Sequence, residues 1–239
     1  MGGVDVIRAL IVLHRTFGKF DARTRFHTFV RFLTCPFLRV VKHVPAGAAV
    51  LEIGAGHGVF ATLARARGAA RVVAVEPDLR KLHALRGVDV VAGFDDCVRG
   101  AFDVVAIVDV LYKIPIAEWD ALLARAAARV KPGGLLIVKE QDPTARVKNA
   151  WNRLQERLAT ALRLTLGESF SYEPPRAFAE RLRRHGFDPE PPRRIDFGYP
   201  HPHVLYLAYH QGTEHRGQGI GGGALAKTPP VPRSLWPVP

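Results

Sequence analysis

A glycine-rich pentapeptide between two apolar segments constrains the fold of this chain more than any other feature. It is GAGHG at residues 54–58, after the apolar run AVLEI at 49–53 and before an amphipathic run at 60–67. Glycines there let the backbone turn sharply from a strand into a helix whose N terminus offers unpaired N–H donors. The spacing is GxGxG, because Val59 occupies the sixth position of a dinucleotide-type GxGxxG. The pattern predicts a ligand-binding turn, with a tight turn lacking a ligand as the alternative.

Apolar runs rich in valine and isoleucine alternate with helical patterns over the middle of the chain. Such runs are typical of parallel strands that are covered on both faces. The predicted strands are 49–53, 72–76, 88–93, 102–109, 135–140 after a turn at 131–134, and a last run at 204–210. The predicted helices are 60–67, a helix start at 78–85, 116–130, 145–166 and 174–185. The alternation predicts an α/β fold with a doubly wound parallel sheet.

The two ends of the chain follow other patterns. Residues 4–43 have helical periodicity and predict two or three short helices. The second of these combines apolar and basic side chains, namely Phe26, Phe29, Val30, Phe32 and Leu33 with Arg23, Arg25 and Arg31. Residues 211–239 are glycine-rich and then proline-rich without periodicity, which predicts a disordered tail.

An acidic residue ends the strand that follows the glycine turn. Glu76 ends the second predicted strand, 22 residues after Gly54. A carboxylate at the end of that strand can accept hydrogen bonds from both hydroxyls of a ribose. A strand, a glycine turn, a helix, a strand and an acid in one unit predict a site for a nucleoside-containing ligand.

At these motifs the chain resembles the class I S-adenosylmethionine-dependent methyltransferases. The resemblance covers about residues 25–210 and rests on VLEIGAGHG, VVAVEPD, AGFDD, FDVVAIVDVLYKIP and RVKPGGLLIVKEQD. It implies a Rossmann-like doubly wound sheet, mostly parallel with a late antiparallel strand. It also implies an enzyme whose cofactor is S-adenosyl-L-methionine.

The resemblance assigns roles to residues at the strand ends. The glycine turn, with Gly54, Ala55, Gly56 and Gly58, is expected to hold the amino-acid end of the cofactor. Glu52 is expected near its ammonium, and Glu76 with Pro77 at the ribose.

Two further acids complete the expected cofactor contacts. Asp95 or Asp96 is expected at the adenine amine, with the choice between them open because Phe94 displaces the usual Gly-Asp pair. Asp109 is expected beside the methyl-bearing sulfur, at the mouth of the fourth strand.

The sequence after the fourth strand restricts the methyl acceptor. Base-amine methyltransferases carry an Asp/Asn-Pro-Pro-aromatic turn there, whereas this chain has Asp109-Val110-Leu111-Tyr112. Neither Cys35 nor Cys97 stands where a cytosine-methylating nucleophile would, so DNA-base methylation is disfavoured. The motifs are similar to those of ubiquinone, menaquinone, lipid and polyketide methyltransferases. We expect transfer to oxygen or carbon of a small hydrophobic or amphiphilic acceptor.

The same resemblance implies how the acceptor would be held. The predicted domains are an N-terminal helical cap at 1–48 and a cofactor-binding domain at 49–210 with a cap insert at 145–175. A base is needed where the acceptor is protonated. The catalytic candidates are His201, His203 and Tyr112, with His27 and Tyr172 as further candidates.

The positive charge is concentrated at the N terminus. The chain has a net charge of +12; residues 1–49 carry eight Lys/Arg and two Asp, whereas residues 50–140 carry twelve basic and eleven acidic residues. A nucleic-acid coat would be more uniform. The basic helices suit an anionic amphiphilic acceptor or peripheral contact with an anionic membrane surface. The alternative is that Phe26, Phe29 and Phe32 belong to the core and the arginines are solvated.

Competing functions are an RNA or protein methyltransferase that docks through its basic N terminus, and a non-catalytic partner-binding member of the fold. Two cysteines are too few for a disulfide framework or a structural zinc site, which favours a cytoplasmic protein without a metal. The longest early apolar run is too short to span a membrane. The sequence leaves the oligomeric state open.

Overall fold

The N-terminal region consists of three helices. A computed structural model describes residues 5–81, 83–93, 98–144 and 171–212 of the chain. The helices are α1 (Val6–Phe17), α2 (Ala22–Thr34) and α3 (Phe37–Val41), as the periodicity predicts. The carboxylate of Asp5 accepts a hydrogen bond from the Arg8 N–H at 2.7 Å, and that of Asp21 from the Thr24 N–H at 2.9 Å. Both aspartates therefore act as N-caps.

In the part of the chain that the structure describes, eight strands form one mixed sheet. They are β1 (Ala49–Ile53), β2 (Arg71–Glu76), β3 (Asp89–Ala92), β4 (Phe102–Val108), β5 (Val130–Gln141), β6 (Phe187–Pro189), β7 (Arg193–Arg194) and β8 (His203–His210). The order is β3-β2-β1-β4-β5-β8-β6, and β7 pairs with β8. The strands β3-β2-β1-β4-β5 are parallel, whereas β8 runs antiparallel to β5, β6 and β7. The predicted fold class is confirmed.

Helices cover both faces of this sheet. Within the described residues, the other α-helices are α4 (Val59–Ala66), α5 (Ile116–Ala127) and α6 (Pro175–Arg184). Successive residues of a strand point to opposite faces of the sheet. In β1, Val50 packs in the apolar layer that contains α1–α4, and Leu51 packs in the layer that contains α5 and α6. The N-terminal helices thus belong to one of the two apolar layers of the sheet.

Two local predictions were wrong. The helix start at 78–85 is only a short 3₁₀ turn at Leu79–Lys81, because Glu76 and Asp78 accept hydrogen bonds from the Asp78 and Arg80 N–H groups. The turn at 131–134 lies inside β5, where the pairing with β4 shifts register between Phe102 and Val104. The bulge accommodates the extra residues without ending the strand.

Some predictions fall outside the described residues. These are the helix at 145–166, most of the cap insert at 145–175, the acids Asp95 and Asp96, and the tail from 213 onward. Among the helices that the structure does describe, none is long and apolar enough to cross a membrane.

Candidate active site

The glycine turn between β1 and α4 adopts a backbone that requires glycine. Gly54, Gly56 and Gly58 have φ values of 73°, 57° and 77°, in the left-handed region. The N–H groups of Gly54 and Ala55 both donate to the carbonyl oxygen of Val75 at 2.9 Å. The end of β2 therefore holds the turn in place beside the carboxyl edge of the sheet.

Glu76 closes onto this turn. Its Oε2 accepts a hydrogen bond from the Gly56 N–H at 2.7 Å, and its Oε1 accepts one from the Asp78 N–H at 3.0 Å. The residue is buried. A Cβ built on Gly56 would meet no atom within 4 Å, so the turn borders open space beside the carboxylate. The carboxylate oxygens of Glu76 therefore lie against the glycine turn at the carboxyl edge of the sheet.

A cleft lies over the turn and contains polar atoms without partners. We call it the cofactor cleft; it is lined by Gly56, His57, Gly58, Glu76, His83 and Leu85, among others. The rings of His57 and His83 are stacked, with centroids 5.4 Å apart. Within the described part of the chain, Nδ1 of His57 and Nε2 of His83 are buried without a hydrogen-bond partner. Buried polar atoms of this kind are normally satisfied, so they point to a polar ligand or ordered water.

Glu52 lies beneath the turn and stabilises the start of α4. The helix begins after Gly58, which has no side chain to cap it, and Oε2 of Glu52 accepts the Ala61 N–H at 2.9 Å. Burial raises the pKa of Glu52 to about 8. The side chain is thus a buried acid beside the site, at the position predicted for a contact to an ammonium group.

A cluster of charged side chains lies at the carboxyl end of β4. The carboxylate of Asp109, directly after β4, forms ion pairs with Lys139 on β5 and with Arg31 on α2, the latter at 3.1 Å. The thiol of Cys35 also donates to it at 3.4 Å. Burial alone would raise the pKa of Asp109, but the charges of Lys139 and Arg31 outweigh it and hold the pKa below its usual range. Asp109 therefore remains an anion.

The backbone at Asp109 directs its carboxylate into this cluster. Among the described residues it is the one non-glycine with a left-handed φ, at 58°. Lys139 points to the face of β5 that contacts the N-terminal helices, as its neighbour Ile137 does, and it is fully buried. The left-handed residue interrupts the alternation of β4, so Asp109 contacts a lysine on that face.

A second pocket lies on the other side of the same strand ends. We call it the aromatic pocket, with Glu140 and five rings in its lining: Tyr112, Trp119, Tyr172, Phe178 and Tyr206. It is partly open to solvent. The rings of Tyr112 and Tyr172 are nearly parallel, with centroids 6.3 Å apart. Its walls suit a flat or apolar molecule.

Glu140 is the one acid with a buried free oxygen among the described residues of this pocket. Its Oε1 accepts the N–H groups of Val110 and Leu111 at 2.9 and 2.8 Å, which leaves Oε2 without a partner in the described structure. Burial, with a smaller contribution from the charge of Asp109, raises the pKa of Glu140 to about 7. A carboxyl group with such a pKa can accept or release a proton near neutral pH.

Comparison with known proteins agrees with this geometry. Residues 24–191 match the sequence model of a family described as "Methyltransferase domain". The chain belongs to this methyltransferase family. The resemblance to class I S-adenosylmethionine-dependent methyltransferases, and with it the predicted cofactor, is thereby confirmed.

Individual methyltransferases are similar over parts of the chain. The ribosomal protein L11 methyltransferase of Burkholderia mallei is 34% identical over 116 residues, which are 44% of this chain and 37% of that protein. The chain thus spans about a third of the length of the curated relatives it matches.

Two solved structures share the fold. One is the complex between the Haloferax volcanii Trm112 methyltransferase activator and a methyltransferase, with a TM-score of 0.62, 14% identity, and coverage of 85% of this chain and 100% of that one. The other is magnesium protoporphyrin IX methyltransferase from Synechocystis PCC 6803 with bound SAH, with a TM-score of 0.54, 16% identity, and coverage of 86% and 94%.

The predicted catalytic residues of this methyltransferase lie in different surroundings. His203 begins β8 and is buried, and its Nε2 lies 2.9 Å from the carbonyl oxygen of Thr34. Since a carbonyl only accepts, Nε2 carries the proton, and burial lowers the pKa of His203 to about 3. His203 is therefore a weak base. The ring of His201 lies edge-on to it at 6.1 Å, and Tyr112 lines the aromatic pocket.

Sequence reasoning missed Arg31, Lys139 and Glu140 as residues of this site. The signal for two of them is that Lys139 and Glu140 are adjacent in the otherwise apolar strand LLIVKEQ at 135–141. Charged side chains are rarely buried in such a strand unless each has a partner of its own. Arg31 carried no such signal, since it lies among several arginines of an exposed helix.

Proposed function

We propose that this protein transfers a methyl group from S-adenosylmethionine to oxygen or carbon of a small hydrophobic or amphiphilic acceptor. The observation that carries the cofactor part of the proposal is the contact between the Glu76 carboxylate and the Gly56 N–H in the glycine turn. In an α/β sheet, ligands bind outside the carboxyl ends of the strands, which is where this contact lies.

The residues of the cofactor cleft fit this cofactor. Glu76 offers acceptor oxygens for ribose hydroxyls, and the open space at Gly56 leaves room for a ligand against the backbone. The unpaired ring nitrogens of His57 and His83 offer further polar contacts. When bound, S-adenosylmethionine supplies a methyl group activated by a sulfonium, and the protein mainly orients the acceptor for in-line attack.

The aromatic pocket is proposed as the acceptor site. It is joined to the cofactor cleft by the loop after β4, since Val110 packs against Gly54 while Leu111 and Tyr112 line the aromatic pocket. Where the acceptor is a hydroxyl, its proton must leave as the methyl–oxygen bond forms. Glu140, with a free buried oxygen, is proposed to take that proton.

Cofactor binding is the first test. Titration calorimetry with S-adenosylhomocysteine should show micromolar binding, and Glu76→Gln should weaken it by one to two orders of magnitude, because a charge-assisted hydrogen bond contributes about 1.5–3 kcal/mol. The matched control is Glu180→Gln, since the Glu180 side chain is 64% exposed on α6. No binding at millimolar ligand would refute the proposal.

The alternative is an RNA or protein methyltransferase, which the similarity to a ribosomal protein methyltransferase supports. Incubation with a methyl-labelled cofactor and separated lipid, protein and RNA fractions of a bacterial extract distinguishes the two. Label in the lipid fraction supports the proposed function, whereas label in protein or RNA supports the alternative.

A further inference from the structure

Two successive helices present large apolar side chains to solvent. We call these eight residues the docking face: Val6, Ile7, Leu10 and Ile11 on α1, and Phe26, Phe29, Val30 and Leu33 on α2. Ile7 is 72% exposed and Phe26 is 70% exposed. Scattered apolar residues on a surface are normal, whereas a group of this size on neighbouring helices marks an interaction site.

The docking face is distinct from the residues that hold the helices to the protein. Helix α1 buries Ala9, Leu13 and Phe17, which lie on an adjacent stripe of the same helix. Helix α2 differs from an ordinary surface helix, which buries its apolar side chains and exposes its polar ones. It buries two threonines with Phe32 and turns the docking-face side chains outward. Of the three phenylalanines that could have formed core, only Phe32 does so.

Positive charge surrounds the docking face. Exposed basic residues on or between the two helices are Arg8, Arg15, Lys19, Arg23 and Arg25. The acids within residues 5–34 are Asp5 and Asp21, and the carboxylates of both accept hydrogen bonds at helix N termini. An apolar face with basic margins is the pattern of a helix that lies in the interface of an anionic membrane.

We propose that the docking face binds the surface of a membrane rich in anionic lipids, with α1 and α2 in the interfacial plane. Phe26, Phe29 and Leu33 enter the boundary between head groups and acyl chains, while Arg23 and Arg25 contact lipid phosphates. Each basic residue near such a surface adds to the attraction, which falls off within a Debye length.

Charge argues against other occupants of the docking face. Residues 145–170 carry five basic and two acidic residues, and residues 213–239 carry three and one, so both segments repeat the sign of the face. A second copy of the chain would likewise bring arginines against arginines. Nucleic acid matches the charge but leaves Ile7, Leu10 and Ile11 in water.

Membrane docking would bring the lipid surface to the helix that packs beside the glycine turn. The opposite side of α2 carries Arg31, which pairs with Asp109 at the sheet edge, and the ring of His27 on α2 lies 5.1 Å from that of His57 in the glycine turn. This link to turnover rests on the proposed function, but membrane binding itself does not. An amphiphilic acceptor dissolved in the membrane would thus lie beside α2, next to the glycine turn and Asp109, while the aromatic pocket lies on the other face of the sheet.

Vesicle flotation of the full chain tests the proposal. We expect it to float with vesicles of equal phosphatidylglycerol and phosphatidylcholine, at least tenfold more than with phosphatidylcholine alone, and less as salt rises. The double variant Phe26→Ser/Phe29→Ser should bind at least tenfold more weakly. The control is Phe197→Ser, because Phe197 is 88% exposed but lies outside α1 and α2. This variant should bind vesicles as the parent protein does.

Further measurements distinguish loss of membrane binding from misfolding and from binding to another partner. Unchanged affinity of the double variant for S-adenosylhomocysteine shows that its fold and its cofactor cleft are intact. Absence of flotation by the parent protein overturns the membrane proposal and leaves the proposed catalytic function standing. A dimer that Phe26→Ser dissociates, or RNA binding with no vesicle binding, also overturns it.

Discussion

Arg31 on α2 and Asp109 at the end of β4 form an ion pair of 3.1 Å that ties the N-terminal helices to the carboxyl edge of the sheet. The same carboxylate pairs with the fully buried Lys139. A buried cation needs its partner, because an unpaired charge in the interior is costly. The helical layer is therefore joined to the candidate site through charge as well as through apolar packing.

Removing this carboxylate should destabilise the protein strongly. We expect Asp109→Asn to lower the free energy of unfolding by about 3–5 kcal/mol, because it leaves Lys139 buried without a counter-charge. Adding Lys139→Met should restore at least half of the loss. Asp89→Asn is the control; its 3.6 Å pair with Arg71 is exposed, and such pairs contribute about 0–1 kcal/mol. Urea unfolding measures all three, and equal effects of the two Asp substitutions would contradict the prediction.

The buried acid Glu52 should make stability depend on pH. Its pKa is raised to about 8 in the folded state against about 4.3 in an unfolded chain. The folded state therefore binds more protons between these values, and the free energy of unfolding falls as pH rises from 4.5 to 8. Glu52→Gln should flatten this decline in urea unfolding at pH 5.5, 6.5 and 7.5. A slope unchanged by the substitution would exclude Glu52 as the cause.

A side chain at Gly58 should destabilise the protein. An added Cβ would lie 2.3 Å from Cδ1 of Leu85, and the φ of 77° adds backbone strain. Gly47 has a similar φ of 78°, but an added Cβ there would meet no atom. Gly47→Ala therefore measures the backbone strain alone, which should cost about 1 kcal/mol of stability. We expect Gly58→Ala to cost about 1–3 kcal/mol more than Gly47→Ala. Similar melting temperatures for the two variants would show that Leu85 yields without cost.

Glu140 should affect the chemical step without affecting cofactor affinity. We expect Glu140→Gln to bind S-adenosylhomocysteine within about twofold of the parent, because the substitution keeps an oxygen for the Val110 and Leu111 N–H groups. Methyl incorporation into a lipid extract should fall by about 10²–10⁴-fold, the range for loss of a general base. The rise of the parent's rate with pH, centred near pH 7, should disappear with it. Equal rates for parent and variant would remove Glu140 from the mechanism.

Much of the sheet and part of the site could be predicted because their signals are local. The alternation of Val- and Ile-rich runs with helices predicts parallel strands, and the distance from Gly54 to Glu76 predicts that the two meet at the sheet edge. The structure has Glu76 bonded to Gly56. The failed helix at 78–85 shows the limit of periodicity, since two side-chain hydrogen bonds decide between a helix and a turn there.

The sequence by itself determined the doubly wound fold, the methyltransferase family and the place of the glycine turn, since each is written in residues near one another along the chain. Tertiary structure alone decided that Asp109 pairs with Lys139 and Arg31, and that Glu140 keeps one free oxygen in an aromatic pocket. It also decided that Phe26 faces solvent while Phe32 is buried. Burial and pairing depend on elements distant in the chain, and these contacts form only when the sheet brings them together.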